Sequence, residues 1–136
     1  MATLKISELS VGDWVMCNED KYRVMGITMF HELDLLKSSE SFRTSIDNIE
    51  PILITAEILG KNGWSTDGMY AFLRIDEHRH LEYYHHEHRL RKYYCGKDEW
   101  QNHAKVTDIT FSAHCYSVHQ LQHALRLAGV DKEINL

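Results

Sequence analysis

Tyr116-Ser-Val-His-Gln-Leu-Gln-His-Ala-Leu-Arg-Leu-Ala-Gly129 carries the start signal, apolar stripe and stop signal of one α-helix. Ser117 followed three residues later by Gln120 is a capping box, and Tyr116 and Leu121 occupy hydrophobic-staple positions. Gly129 stands where a left-handed residue ends a helix, with Val130 placed to fold back onto Leu125. At about 100° per residue, Val118, Leu121, Ala124, Leu125 and Ala128 share one face. His119, His123 and Arg126 are then expected on the opposite, solvent side, with Leu127 the one apolar residue out of register. His119 and His123 have the i, i+4 spacing of a zinc-protease helix, but Gln120 stands where the general-base glutamate belongs. An amide cannot take a proton from a metal-bound water, so the helix reads as structural.

The chain before this helix is strand-like. Ile6-Ser-Glu-Leu-Ser-Val-Gly-Asp-Trp-Val15 turns at Gly12-Asp13 into a strand, and Tyr22–Ile27, Leu33–Leu36 and Phe42–Ile46 follow at short intervals between polar turns. Such spacing indicates a small barrel or sandwich. The Val11-Gly-Asp-Trp-Val15 … Tyr22-Arg-Val-Met-Gly-Ile27 pattern resembles SH3-like barrels. Pro51, the only proline, closes this unit. Thr55 caps a predicted helix over Ala56–Asn62 that ends at Gly63, with Trp64 packing back on Leu59. Strands are predicted over Met69–Ile75, Leu81–His88, Leu90–Cys95 and Val106–Ser112. The expected fold is α+β: an N-terminal SH3-like β-barrel over residues 1–52, then a domain over 53–136 with an antiparallel meander packed by the C-terminal helix.

Length and composition narrow the function. The 136 residues hold 43% hydrophobic and 26% charged residues, as soluble globular proteins do. No apolar run approaches the roughly 20 residues of a membrane helix, and the N-terminus lacks the pattern of a secretory signal. Cys17, Cys95 and Cys115 form no CxxC pair and read as free thiols of a reducing compartment, expected to be the cytoplasm. The net charge of −5 argues against a strongly electrostatic nucleic-acid binder. Residues 1–55 hold five Lys/Arg against nine Asp/Glu, a balance of −4. The only basic locale is residues 78–97, with five Lys/Arg, two Asp/Glu and five histidines.

Three blocks carry a wider resemblance: Lys5–Val15, Ile49–Trp64 and Val118–Ile134. Together they are similar to a family of small uncharacterised proteins of gut Bacteroidales genomes, often found in prophage or mobile-element settings. The resemblance spans nearly the whole chain. It implies a context, phage or mobile element, and no activity or site residue.

Two constellations could carry chemistry. On a strand, residues two apart share a face, so His78 with His80 and His86 with His88 could each present paired imidazoles to zinc or nickel. Glu87, His103, His114 or Cys115 are further candidate donors. Tyr83, Tyr84, Tyr93 and Tyr94, interleaved with Arg89, Arg91 and Lys92, have the composition of a stacking platform for single-stranded nucleic acid, with Tyr84, Arg89, Arg91 and Tyr93 its candidate contacts. The bland alternatives are a solvated histidine-rich surface and cross-strand tyrosine packing. Cys115 near a helix start has His114 beside it but no third orienting group, and no phosphate loop or nucleophile elbow is present. The leading expectation is therefore a non-enzymatic binding or adaptor protein with a protein partner, no membrane association and no resident cofactor. The alternatives are a metal-dependent enzyme built on the histidines and a nucleic-acid binder.

Overall fold

The computed structural model describes residues 4–94 and 108–136. Period-two alternation builds two antiparallel sheets. The first consists of β1 (Trp14–Cys17), β2 (Asp20–Ile27), β3 (Glu32–Lys37) and β4 (Glu40–Ser45), in the order β1-β2-β3-β4. The second consists of β5 (Ser65–Thr66), β6 (Tyr70–Arg74), β7 (Arg79–Tyr84), β8 (Arg89–Tyr94) and β9 (Asp108–His114), also in chain order. Helix α1 (Ala56–Lys61) lies between the sheets in sequence, and α2 (Val118–Leu127) follows them. The chain divides into two compact units, Met1–Leu53 with Ser117–His119, and Ile54–Tyr116 with Gln120–Leu136. The architecture is α+β, mostly antiparallel, with a C-terminal helix.

In the first unit, Val15, Cys17, Val24, Leu33 and Leu35 alternate inward and join Leu4, Leu9 and Ile49 in one core. Asn18 and Glu19 form the β1–β2 turn, with φ of 51° and 66° between the paired residues Cys17 and Asp20. Two left-handed residues in a two-residue loop match the twist of a hairpin. Buried Asp13 ties the entry loop down, its carboxylate accepting from Ser10 N at 2.7 Å while Val24 N donates to its carbonyl at 2.8 Å. The four strands expected here are present, but the sheet is open. β1 and β4 are its ends, and no closed barrel is found among the described residues. β1 has only four residues, and its outer edge meets the chain again at one bridge, Met16 to Glu50.

In the second unit Ala71, Leu73, Leu81, Tyr83 and Leu90 form the buried face of β6, β7 and β8. The strand predicted over Leu81–His88 is shorter and shifted. β7 ends at Tyr84, and His85–His88 are a turn in which His88 is left-handed, with φ of 50°. Cys95 and the predicted Val106–Thr107 lie outside the described residues. Thr55 caps α1 by accepting from Ile58 N at 3.2 Å. Gly63, at φ 88°, lets Trp64 N return to Leu59 O at 3.1 Å, which ends the helix and buries Trp64 against it.

Helix α2 buries the predicted stripe of Val118, Leu121, Ala124, Leu125 and Ala128. Its end is the predicted one, with Gly129 N to Arg126 O at 3.1 Å and Val130 N to Leu125 O at 2.9 Å. The start differs in detail, since Gln120 Oε1 accepts from Tyr116 N at 2.8 Å, one residue upstream of the expected partner. His119 departs from the expectation altogether. It is 1% exposed, with Nδ1 3.0 Å from Ser117 Oγ. The first turn of α2 is bonded to the preceding segment, Leu53 bridging to Ser117 and Val118 N donating to Ile52 O. A helical wheel has no knowledge of that neighbour. The C-terminal tail is held by two amides: Gln122 bonds Lys132 O and Ile134 N, and Asn62 bonds both Asn135 N and Asn135 O.

Leu125→Ala should cost on the order of 2–5 kcal/mol, the range for truncating a buried leucine. His119→Ala, emptying a buried polar position, should cost about 1–3 kcal/mol. Denaturant melts check both, and a loss below about 0.5 kcal/mol at His119 would return its ring to the surface.

Candidate functional site

On the second sheet, β6, β7 and β8 turn Phe72, His80, Glu82, Tyr84, Arg89, Arg91 and Tyr93 to the face opposite the apolar one. The four residues expected for nucleic-acid stacking, Tyr84, Arg89, Arg91 and Tyr93, are thus brought together. They are organised around a carboxylate. Tyr84 Oη donates to Glu82 Oε2 at 2.7 Å and lies 3.0 Å from Tyr93 Oη. His80 Nε2 stands 3.8 Å from Glu82 Oε1, and the His80 ring is stacked on Phe72 at 4.8 Å and on Tyr93 at 5.0 Å. Burial pushes the Glu82 pKa up, but bonds from His80, Tyr84 and Tyr93 outweigh it and hold the carboxyl below its ordinary value. Burial and the neighbouring Tyr93 and Glu82 push the Tyr84 phenol well above the usual tyrosine range. The Arg91 guanidinium lies over the Tyr84 ring at 5.1 Å and 3.6 Å from Glu87, and Arg89 donates to Ser112 Oγ at 3.0 Å. Base stacking needs open rings. Tyr93 is only 5% exposed, and Tyr84 carries Tyr70 stacked on it as well as Arg91. The Tyr84–Tyr93 hydroxyl contact ties β7 to β8, and Phe72 and Tyr70 of β6 stack on His80 and Tyr84.

The histidines expected to hold a metal take separate positions. His78 precedes β7 and stacks on Tyr94 at 5.5 Å, while His80 lies in the network on β7. His86 and His88 belong to the turn beyond the other end of that strand, where His88 packs on Tyr116 at 4.4 Å. The strand alternation expected to pair His86 with His88 is therefore absent, because the strand has already ended. Among the described residues, no three His, Cys, Asp or Glu are grouped to hold a metal ion. His103 lies outside the described residues. Burial pushes the Cys115 thiol up to about 12, so it stays protonated at neutral pH.

A second surface was not singled out by the sequence. On the first sheet, Trp14, Arg23, Asp34, Leu36, Ser41 and Arg43 face away from the core through the register Trp14–Arg23–Leu36–Ser41 and Asp34–Arg43. There Met25, Asp34, Leu36, Ser41, Phe42 and Arg43 line a shallow groove of about 620 Å³. Arg43 Nε donates to Asp34 Oδ1 at 2.8 Å, forming a polar bar across it. A Cβ on Gly26 would stand 3.0 Å from Asp34 Oδ2, so the glycine at this bulge leaves room for that carboxylate. Arg23 lies over the Trp14 ring at 4.7 Å. Met25 is 50% exposed, and the β2–β3 turn presents Met29 and Phe30 at 84% and 76%. The signal available in the sequence was the second apolar set on β2 and β3, Met25 and Leu36, out of phase with Val24 and Leu35.

Comparison with protein-family models, curated proteins and solved structures found no match for this chain.

The network generates a pH prediction. A carboxyl depressed on folding contributes stability above its unfolded value, near 4.5, and loses it as pH falls through the lower folded value. Unfolding free energy measured from pH 7 to pH 3 should show wild type more stable than Glu82→Gln at neutral pH, with the gap shrinking as pH drops below about 4.5. A gap that widens on acidification would contradict the network.

Proposed function

We propose that this chain is a non-enzymatic binding or adaptor protein, of the phage or mobile-element setting that its family resemblance implies, engaging a protein partner through the N-terminal unit. The groove beside Met25 and Leu36 carries this reading. Single exposed apolar residues are ordinary on any surface, whereas a contiguous set with a polar rim marks an interaction site. Met25 and Leu36 form such a set on the outer face, Asp34 with Arg43 supplies the rim, and Phe42 adds apolar surface where the groove meets the β4 edge. The groups with chemical potential support the same reading. The phenols, imidazole and carboxylate of the second sheet satisfy one another, and the buried Cys115 thiol is held in its unreactive form. Buried free thiols at Cys17 and Cys115 suit a reducing compartment such as the cytoplasm. Among the described residues no helix is long and apolar enough to cross a membrane.

Affinity capture from the encoding organism, with wild type and Leu36→Lys side by side, tests this. Leu36 is partly exposed on the outer face, so the variant should keep its melting temperature. Its partner should be recovered about tenfold less, because an ammonium in an apolar contact is costly to desolvate. Equal capture by both proteins would remove the groove from the account. Saturable turnover of a substrate by the purified chain would overturn the binding reading itself.

A further inference from the structure

We propose that β4 accepts an extended, basic segment of the partner protein as a fifth strand, with apolar side chains of that segment seated over Ser41 beside Leu36 on the outer face and against Phe42 on the inner face. The proposal rests on the binding reading and names its partner chemistry.

Main-chain direction comes first. Ile46 N donates to His31 O at 3.0 Å, and the β3–β4 register continues from there as Glu32–Ser45, Leu33–Thr44, Asp34–Arg43 and Leu35–Phe42. In an antiparallel ladder, mutually bonded pairs recur every second residue. Leu33–Thr44 and Leu35–Phe42 are therefore bonded pairs, and Ser41, Arg43 and Ser45 turn their N–H and C=O groups away from β3. On the far side of β3, Glu32 O accepts from Thr28 N at 2.9 Å, which is the same alternation. β4 ends the sheet, and among the described residues no strand pairs with its outer side. A row of alternating donors and acceptors is complemented along its length only by another extended backbone.

The side chains agree. Strand addition takes affinity from the ladder and selectivity from pockets beside it, and the groove abuts β4 through Ser41, Phe42 and Arg43. Residues of an added strand on the outer face would lie over Ser41 toward Leu36, and those on the inner face would meet the half-exposed Phe42 ring. Ser41 and Ser45 are small enough to let a neighbouring backbone approach.

Charge selects the occupant. Exposed Glu40, opposite Lys37 in the register, stands at one end of β4 and exposed Asp47 just beyond the other. Arg43 between them is bonded to Asp34 and Lys37 to Asp20, and residues 1–55 as a whole carry a balance of −4. Such a field attracts a cationic segment. A second copy, pairing β4 with β4, would set two such acidic units against each other.

A displayed library of random twelve-residue peptides is the probe. Selection on the full chain should enrich peptides with apolar residues on both faces of the extended segment and Lys or Arg at the flanks. Binding of a selected peptide should weaken about tenfold or more with Leu36→Lys and decline as salt is raised. N-methylation of alternate peptide amides should abolish binding in one register and be tolerated in the other, a readout that leaves the protein untouched. Equal tolerance of both registers, peptides that bind as helices, or a dimer that is lost with Ser41→Pro would overturn strand addition. If no peptide is enriched while groove-dependent capture of a protein persists, strand addition fails and the binding reading stands.

Discussion

A β-strand directs alternate side chains to opposite faces, and each sheet of this chain gives its aliphatic residues mainly to one of them. In the N-terminal unit the inward set is Val15, Val24, Leu33 and Leu35, none of them measurably exposed. Everything on the outer face follows from what that set leaves over. Met25 and Leu36 are apolar residues in the outward phase, and the Asp34–Arg43 pair stands beside them rather than in the core. The glycine at the β2 bulge belongs to the same arrangement, since a side chain there would press on the Asp34 carboxylate.

The second sheet meets the same constraint with a different solution. Its inward face holds Ala71, Leu73, Leu81, Tyr83 and Leu90, and its outer face is polar and aromatic. A carboxylate so placed needs donors, and Tyr84, Tyr93 and His80 surround it from two strands. Buried or half-buried polar groups stabilise only when every member has a partner. That requirement accounts for tyrosines lying flat against their neighbours instead of standing open to a ligand. The composition that reads as a nucleic-acid platform in the sequence is, in space, a set of mutually bonded side chains in which Tyr84 and Arg91 stay partly exposed.

Local signals were legible and neighbours were not. The apolar stripe of α2, its Gly129 stop, the Thr55 cap and the Trp64 return all depend on residues within one or two turns of each other. All are present. The strands of the first unit were legible for the same reason. Barrel closure was not, because it depends on whether the first and last strands meet, and four residues in β1 leave that unspecified by pattern. His119 was assigned to the surface by angle alone, while the start of its helix is bonded to Ile52 and Leu53, more than sixty residues earlier, and the ring is buried. The strand predicted through His88 ended early because the left-handed residue at 88 closes a turn, and histidine gives only weak notice of that conformation. The groove was missed because Met25 and Leu36 are on different strands and meet only once the register is known.

Native-state amide hydrogen exchange along β4 tests the central claim, an open and directional edge, most directly. Phe42 and Thr44, bonded to β3, should be protected, while Ser41, Arg43 and Ser45 should exchange at close to unprotected rates. Protection of all five amides in the free protein would mean that something already covers the edge, and would contradict the account.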